Sequence, residues 1–299
     1  MLSYAQAIIM GIIQGATELF PISSLGHGVL VPALVPGWHN LAKAQASSES
    51  YFLAFLVGLH VGTAIALLLY YRRDWVKITG AFVTSVKKRE IEGPTQRLAW
   101  LIIVGTIPVG IVGLAFEHKL RVIFAKPMAA SVFLTLNGFM LLGGEFIRRR
   151  SLARNSDKRA LGDQDVAPRY LLDTLPFGQG LLIGTSQIAA LFAGISRSGA
   201  TMVTGLTRGL DHEDAARFSF LLATPVILLA GVYKLPDLLG PLGREAGRGQ
   251  VLAGAVAAGI TAYLSVRFLV RWFKTNTLWP FGIYCLVAGA SCTIYFALR

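Results

Sequence analysis

The chain is 299 residues long, 54% hydrophobic and only 15% charged, with a mean hydropathy of +0.58. That is too apolar for an ordinary soluble domain, and several runs reach the ~20 apolar residues that cross a bilayer, so the composition predicts a polytopic helical membrane protein. A net charge of +12 could suit a nucleic acid, but Lys and Arg crowd the ends of apolar runs instead of forming one basic face, which argues for membrane orientation and against a nucleic-acid partner.

The first Lys or Arg is Lys43, so a basic n-region is missing and the first apolar segment is expected to be retained. Residues 4–20 and Ser24–Val35 read as two short apolar helices broken at Pro21. Each is short for a span, and polar residues cluster at their junction. They are read as a re-entrant hairpin, since irregular backbone at membrane depth is tolerated where it lines a cavity. After a polar connector over 38–50, spans are expected at Tyr51–Tyr71, Leu98–Phe116 and Pro127–Ile147. The stretch from Arg72 to Arg97 reads as a basic loop, and 117–126 as a short connector. A polar segment from Arg148 to Arg169 follows. Leu175–Gly194 and Gly199–Leu210 read as a second hairpin, and Asp211 as a helix start. Further spans are expected at Ala215–Tyr233, Val251–Arg271 and Leu278–Leu298. Cys285 and Cys292 share the last one. Seven helical residues put them ~10 Å apart, too far for a disulfide.

The two hairpins resemble each other. A shift of 173 positions, Gly11 onto Gly184, aligns Gly11–Gly28 with Gly184–Thr201 without a gap. Gln14 falls on Gln187, Ser23 on Ser196 and Gly26 on Gly199. The chemistry does not repeat: Glu18 falls on Leu191, Ser24 on Arg197 and His27 on Ala200. One copy brings acid and imidazole, the other a guanidinium. Counting cations puts 72–97, 148–169 and the Arg271–Lys274 turn in the cytoplasm, and 38–50, 117–126 and 234–250 outside. Both termini are then outside. Three spans per repeat is an odd number, so the repeats are inverted and their hairpin tips meet near the midplane. The expected fold is a single all-α membrane domain over 1–299: repeat one at 1–147, a connector at 148–174 and repeat two at 175–299. It holds six spans and two re-entrant hairpins.

At the tips, half-helices begin after Ser24 and Arg197, and their free N–H groups make anion sites. Arg197 suits a phosphate held by two parallel bonds. Ser23, Ser196, Ser198 and Thr201 add hydroxyls, and Gly26 and Gly199 allow close backbone approach. A phosphate or diphosphate is the expected guest. Glu18 repels phosphate, so it either holds a divalent cation, with Gln14 one turn away as a second ligand, or acts as a general base. His27 is a candidate nucleophile, general acid or proton shuttle. Ser24 is a candidate nucleophile with His27 or Glu18 as its base. His60, inside a span, is expected to be packed against or bonded to a neighbouring helix, with a direct catalytic role as the alternative.

These motifs resemble the undecaprenyl-diphosphate phosphatase family, the bacitracin-resistance type of bacterial membrane phosphatase. The resemblance covers nearly the whole chain. It is carried by Gln14–Glu18 as (E/Q)xxxE, by Pro21, Ser23, Ser24, Gly26 and His27 as PxSSxGH, and by Gly194–Thr201 as GxSRSGxT. Leu59–Thr63 with Arg72–Arg73, Arg217–Pro225 and Pro280–Tyr284 add to it. It implies hydrolysis of undecaprenyl diphosphate to the monophosphate, recycling a cell-wall lipid carrier and giving bacitracin resistance. It also implies an inner-membrane, multi-pass enzyme opening to the outer side, Mg²⁺ or Ca²⁺ dependence, and homodimers. Glu18, Ser24, His27 and Arg197 inherit the catalytic roles. The chain departs from the family at Ala193, in place of Pro, and at Cys285, where Arg is frequent. Gln14 is the uncharged variant at its position. A membrane transporter or flippase for a phosphorylated lipid or anion is the rival reading, because inverted repeats with broken helices are also transporter architecture.

Overall fold

The computed structural model describes residues 2–38, 41, 51–124, 126–160 and 171–299. Among them are thirteen α-helices and no strand. A capping box starts the first: the Ser3 hydroxyl accepts from the Gln6 N–H, and the Gln6 side chain accepts from the Ser3 N–H. This helix, α1, is Tyr4–Leu19, and it stops before Pro21. Helix α2, Ser24–Leu34, completes the first hairpin. The second hairpin is α7, Phe177–Ser186, a 3-10 turn at Gln187–Leu191, and α8, Arg197–Thr207. Its descending arm is thus less regular than expected for Leu175–Gly194, ending as α-helix eight residues sooner at Ser186.

Long helices surround the hairpins: α3 (Tyr51–Tyr70), α5 (Pro94–Phe124), α6 (Pro127–Ala160), α9 (His212–Tyr233), α12 (Arg248–Trp272) and α13 (Trp279–Ala297). Asp211 caps α9 as its position predicts, its carboxylate accepting from the Asp214 N–H. Five helices are long and apolar enough to cross a membrane, and a sixth counts if the bent pair of α3 and α4 is one span.

Three stretches read as loops differ. Arg72–Lys88 is a helix, α4, bent 83° from α3. Its charges hid an amphipathic repeat that a search for spans passes over. Residues 117–124 continue α5 without a break. The connector after α9 folds into two short helices, α10 (Leu235–Leu239) and α11 (Pro241–Ala246). The connector at 38–50 lies almost wholly outside the described residues, as does the region around Arg169.

Small residues set the helix contacts. A Cβ on Gly11 would stand 2.3 Å from the Gly254 oxygen of α12, and one on Gly184 would stand 2.2 Å from Gly105 of α5. The two glycines that the repeat pairs therefore do the same job, letting the first arm of each hairpin lie backbone to backbone on a long helix. Helix α9 runs through the middle, with Phe218 to Thr224 all buried.

Candidate active site

Both loops end on the same device. Ser23 accepts from the Gly26 N–H at 3.1 Å, and Ser196 accepts from the Gly199 N–H at 3.1 Å. Each serine caps its half-helix and leaves the first N–H groups, of Ser24 and Leu25 or of Arg197 and Ser198, outside the helical ladder. The tips touch. The Gly194 N–H donates to the Ser23 hydroxyl at 3.2 Å. A Cβ on Gly26 would stand 2.9 Å from the Gly194 Cα, so here glycine serves the meeting of two backbones.

Asn137 of α6, fully buried, ties the tips from below. Its amide donates to the Pro21 oxygen and its carbonyl accepts from the Ser196 N–H, both at 2.9 Å. Ser23 sits at φ 70° and ψ 101°, a region unfavourable for a residue with a side chain. It persists because Gly26, Gly194 and His27 all bond to it.

Glu18, buried near the end of α1, is the centre. Gln14 donates to Glu18 Oε2 at 3.0 Å, and the Ser24 hydroxyl donates to the same oxygen at 2.5 Å. Arg197 Nη2 donates to Oε1 at 3.0 Å. One hairpin's carboxylate therefore pairs with the other's guanidinium. The second arginine nitrogen, Nη1, is buried without a protein partner among the described residues. A buried donor left unpaired costs about 1–3 kcal/mol and marks a place for an acceptor.

His27 does not contact Glu18. Its Nδ1 lies 2.8 Å from the Ser23 carbonyl, which can only accept, so Nδ1 carries the proton in the neutral ring. Nε2 is then the acceptor, and it lies 2.7 Å from the Tyr284 hydroxyl of α13, with the two rings stacked. Of the two bases considered for Ser24, the one bonded to it is Glu18.

The remaining hydroxyls are engaged by protein. Ser196 and Ser198 bond each other at 3.0 Å, Ser198 reaches the Phe20 oxygen, and Thr201 donates to Ser219 of α9 at 2.7 Å. Gly199 packs against Leu141 and Asn137.

Three neighbours were not assigned to the site from sequence. His60 of α3 bonds the Leu56 carbonyl through Nδ1 and brings Nε2 within 3.6 Å of Glu18 Oε2. Its place within a span was the signal. Tyr284 lies in the matched Pro280–Tyr284 stretch, but nothing in the sequence tied it to His27. Asn137 gave no signal beyond being an amide in an apolar run.

For a divalent cation, the protein donors are few. Among the described residues no three His, Cys, Asp or Glu side chains converge. Glu18 and Gln14 are the nearest pair of candidate ligands, but the Gln14 amide nitrogen faces Glu18 Oε2 and Arg197 takes Oε1, so a hard cation would need the Gln14 amide turned to present its oxygen, with phosphate oxygens and water completing the shell.

The chain is thus a polytopic helical membrane protein in which two helix–loop–helix hairpins bring a serine–carboxylate pair together with a half-satisfied arginine. The particular assignment follows from comparison. Residues 7–291 match the family model described as Bacitracin resistance protein BacA, and the chain belongs to that family. It is 55% identical to an undecaprenyl-diphosphatase of Mycolicibacterium paratuberculosis over 100% of this chain and 99% of that one. It is 52% identical to undecaprenyl-diphosphatase 2 of Frankia alni over 99% of both. With undecaprenyl-diphosphatase 2 of Chromobacterium violaceum the identity is 42% over 95% of both.

Proposed function

We infer that this chain is an undecaprenyl-diphosphate phosphatase, releasing inorganic phosphate from the lipid diphosphate and returning the monophosphate to cell-wall synthesis. The full-length likeness to named undecaprenyl-diphosphatases supports the substrate. The observation that carries the chemistry is Arg197, with one nitrogen on Glu18 and the other unpaired beside a hydroxyl already bonded to a base.

In this reading Ser24 is the nucleophile. Its Oγ–H bond breaks, the proton passes to Glu18 Oε2, and Oγ bonds the terminal phosphorus. The bridging P–O bond breaks and the prenyl monophosphate leaves. Water then hydrolyses the phosphoserine. Arg197 Nη1 takes a phosphoryl oxygen, joined by the free N–H groups at the starts of α2 and α8. Arg197 need not release Glu18 to do so. His27, with its tautomer fixed by Ser23 and Tyr284, stands at the mouth as a proton shuttle. Ser23, Ser196, Ser198, Thr201, Gly26 and Gly199 shape the phosphate cradle by holding the loops. In the alternative in which Glu18 is a ligand and not the base, Glu18 and Gln14 would hold Mg²⁺ or Ca²⁺, and the ion would supply charge neutralisation.

The wider reading is six spans, α3, α5, α6, α9, α12 and α13, with α1–α2 and α7–α8 as re-entrant hairpins in inverted repeats. Both termini and the site's opening then face the outer side of the inner membrane. The matched caps at Ser23 and Ser196 support the repeat.

The test is phosphate release from undecaprenyl diphosphate by purified protein in detergent. Turnover is expected there, because hydrolysis needs one compartment whereas transport needs two. Absence of release with folded protein would favour the transporter reading.

A further inference from the structure

Helix α4 presents three distinct faces, and among the described residues protein covers one. Ile78 and Ser85 are buried and face α5. The Trp100 indole donates to the Ser85 hydroxyl at 2.9 Å, and Phe82 packs edge-on against Trp100. At the start of the helix Asp74 takes Arg217 of α9 at 2.8 Å. These contacts fix the helix in rotation as well as in place, so its other faces are set by the fold.

At about 100° per residue, Val76, Thr79, Val83 and Val86 fall on a second strip, which Arg72 joins only at the helix's first residue. Its valines are exposed, Val76 by 75%, Val83 by 43% and Val86 by 50%. Arg73, Lys77, Lys87 and Lys88 lie on a third face, next to the valine strip and away from the buried one. Lys88 is paired with Glu92. Among the described residues Arg73, Lys77 and Lys87 form no ion pair. The helix carries five cations and one acid, Asp74, which Arg217 already neutralises.

The axis completes the picture. Helix α4 leaves α3 at 83°, so where α3 runs across the bilayer α4 runs along its surface. A helix in that position meets protein on one side, acyl chains on another and headgroups on the third. Those are the three faces found. A valine strip facing water alone would be an exposed apolar patch beside charges that nothing uses.

We propose that α4 is an interfacial docking helix for anionic phospholipid, with Val76, Val83 and Val86 seated among acyl chains and Arg73, Lys77 and Lys87 holding headgroup phosphates. The site is separate from the catalytic hairpins, and the proposal does not depend on the reaction they carry out.

The test uses the full chain in nanodiscs of phosphatidylcholine with or without phosphatidylglycerol. Spin labels at Val76→Cys and Val83→Cys, in a chain with Cys285→Ala and Cys292→Ala, report which relaxant reaches the strip. Oxygen access is expected to exceed access of a water-soluble nickel chelate several-fold. Nickel access would place the strip in water, and exclusion of both would show a covering protein; either result overturns the proposal. A second measurement keeps the native cysteines. Native mass spectrometry counts phosphatidylglycerol retained from mixed nanodiscs. Arg73→Gln, Lys77→Gln and Lys87→Gln together should lower retention several-fold, whereas Arg149→Gln with Arg150→Gln, on α6, should not. Equal retention in the two variants would overturn the headgroup assignment.

Discussion

Glu18 is hydrogen-bonded by Gln14, Ser24 and Arg197 with His60 beside it, and the bonds from Ser24 and Arg197 give different expectations on mutation. Ser24→Ala removes the hydroxyl bonded to Oε2 and should abolish turnover. Rapid quench of the unmutated enzyme with labelled substrate should trap an acid-stable phosphoryl-protein; an acid-labile one would move the nucleophile to His27. Arg197→Lys keeps charge and loses the second nitrogen. If Nη1 meets charge that develops in the transition state, kcat should fall about 10²–10³-fold with a smaller change in KM. A rise in KM alone would make Arg197 a ground-state anchor. Tyr284→Phe removes the hydroxyl on His27 Nε2 and keeps the ring stack. It should lower kcat with KM little changed and shift the ¹⁵N signals of the His27 ring; unchanged signals would show that the tyrosine only packs. The sequence exposed Glu18, Ser24 and Arg197 because charged or reactive groups in apolar runs are expensive without a purpose. It could not show that Ser24 bonds Glu18 and not His27, because that depends on how one strained turn at Ser23 aims two side chains.

The hairpins show what a pattern of residues can and cannot convey about an element. Gly11 with Gly184 and Ser23 with Ser196 were readable as a repeat, since close packing and capping demand particular small residues. Asn137 was not readable, because a single amide in a span gains meaning only from two backbone groups distant in sequence, at Pro21 and Ser196. Helix α4 was missed for the opposite reason: its cations dominated a reading in which they marked a loop. Asn137→Leu leaves the buried Ser196 N–H without a partner, at about 1–3 kcal/mol, and the Pro21 carbonyl with only the weak Cys285 thiol donor. The variant should lose thermal stability in detergent and lose activity beyond what that explains, because both loop tips are released. Full activity with lowered stability would show that the tips hold themselves. Gly26→Ala should be worse for activity than for folding, since its methyl group meets the Gly194 backbone and pushes the hairpins apart.

For the whole molecule, the arrangement of charge predicts sidedness. In a chain without native cysteines, a Cys at Gly240 should react with an impermeant reagent in intact cells, and a Cys at Arg150 only after lysis. Labelling of Arg150→Cys from outside would reverse the orientation. The fold class was plain from composition; of the six spans expected from apolar runs, five are helices long and apolar enough to cross a membrane, and the sixth counts only with α3 and α4 taken together. How the halves share one site was plain only in outline, since it needs the distance between residues such as Glu18 and Arg197. That sharing also has a meaning in time. The parts of the site leave the ribosome far apart: Glu18 and Ser24 first, Arg197 after 179 further residues beyond Glu18, and Tyr284 257 residues after His27. A nascent chain therefore inserts most of its helices before it owns a working centre. A product that ends between α8 and α13 carries Glu18, Ser24 and Arg197 without the hydroxyl that faces His27, and one that ends before α8 also lacks the arginine. Until α8 has been made, the carboxylate at Glu18 is without its guanidinium partner.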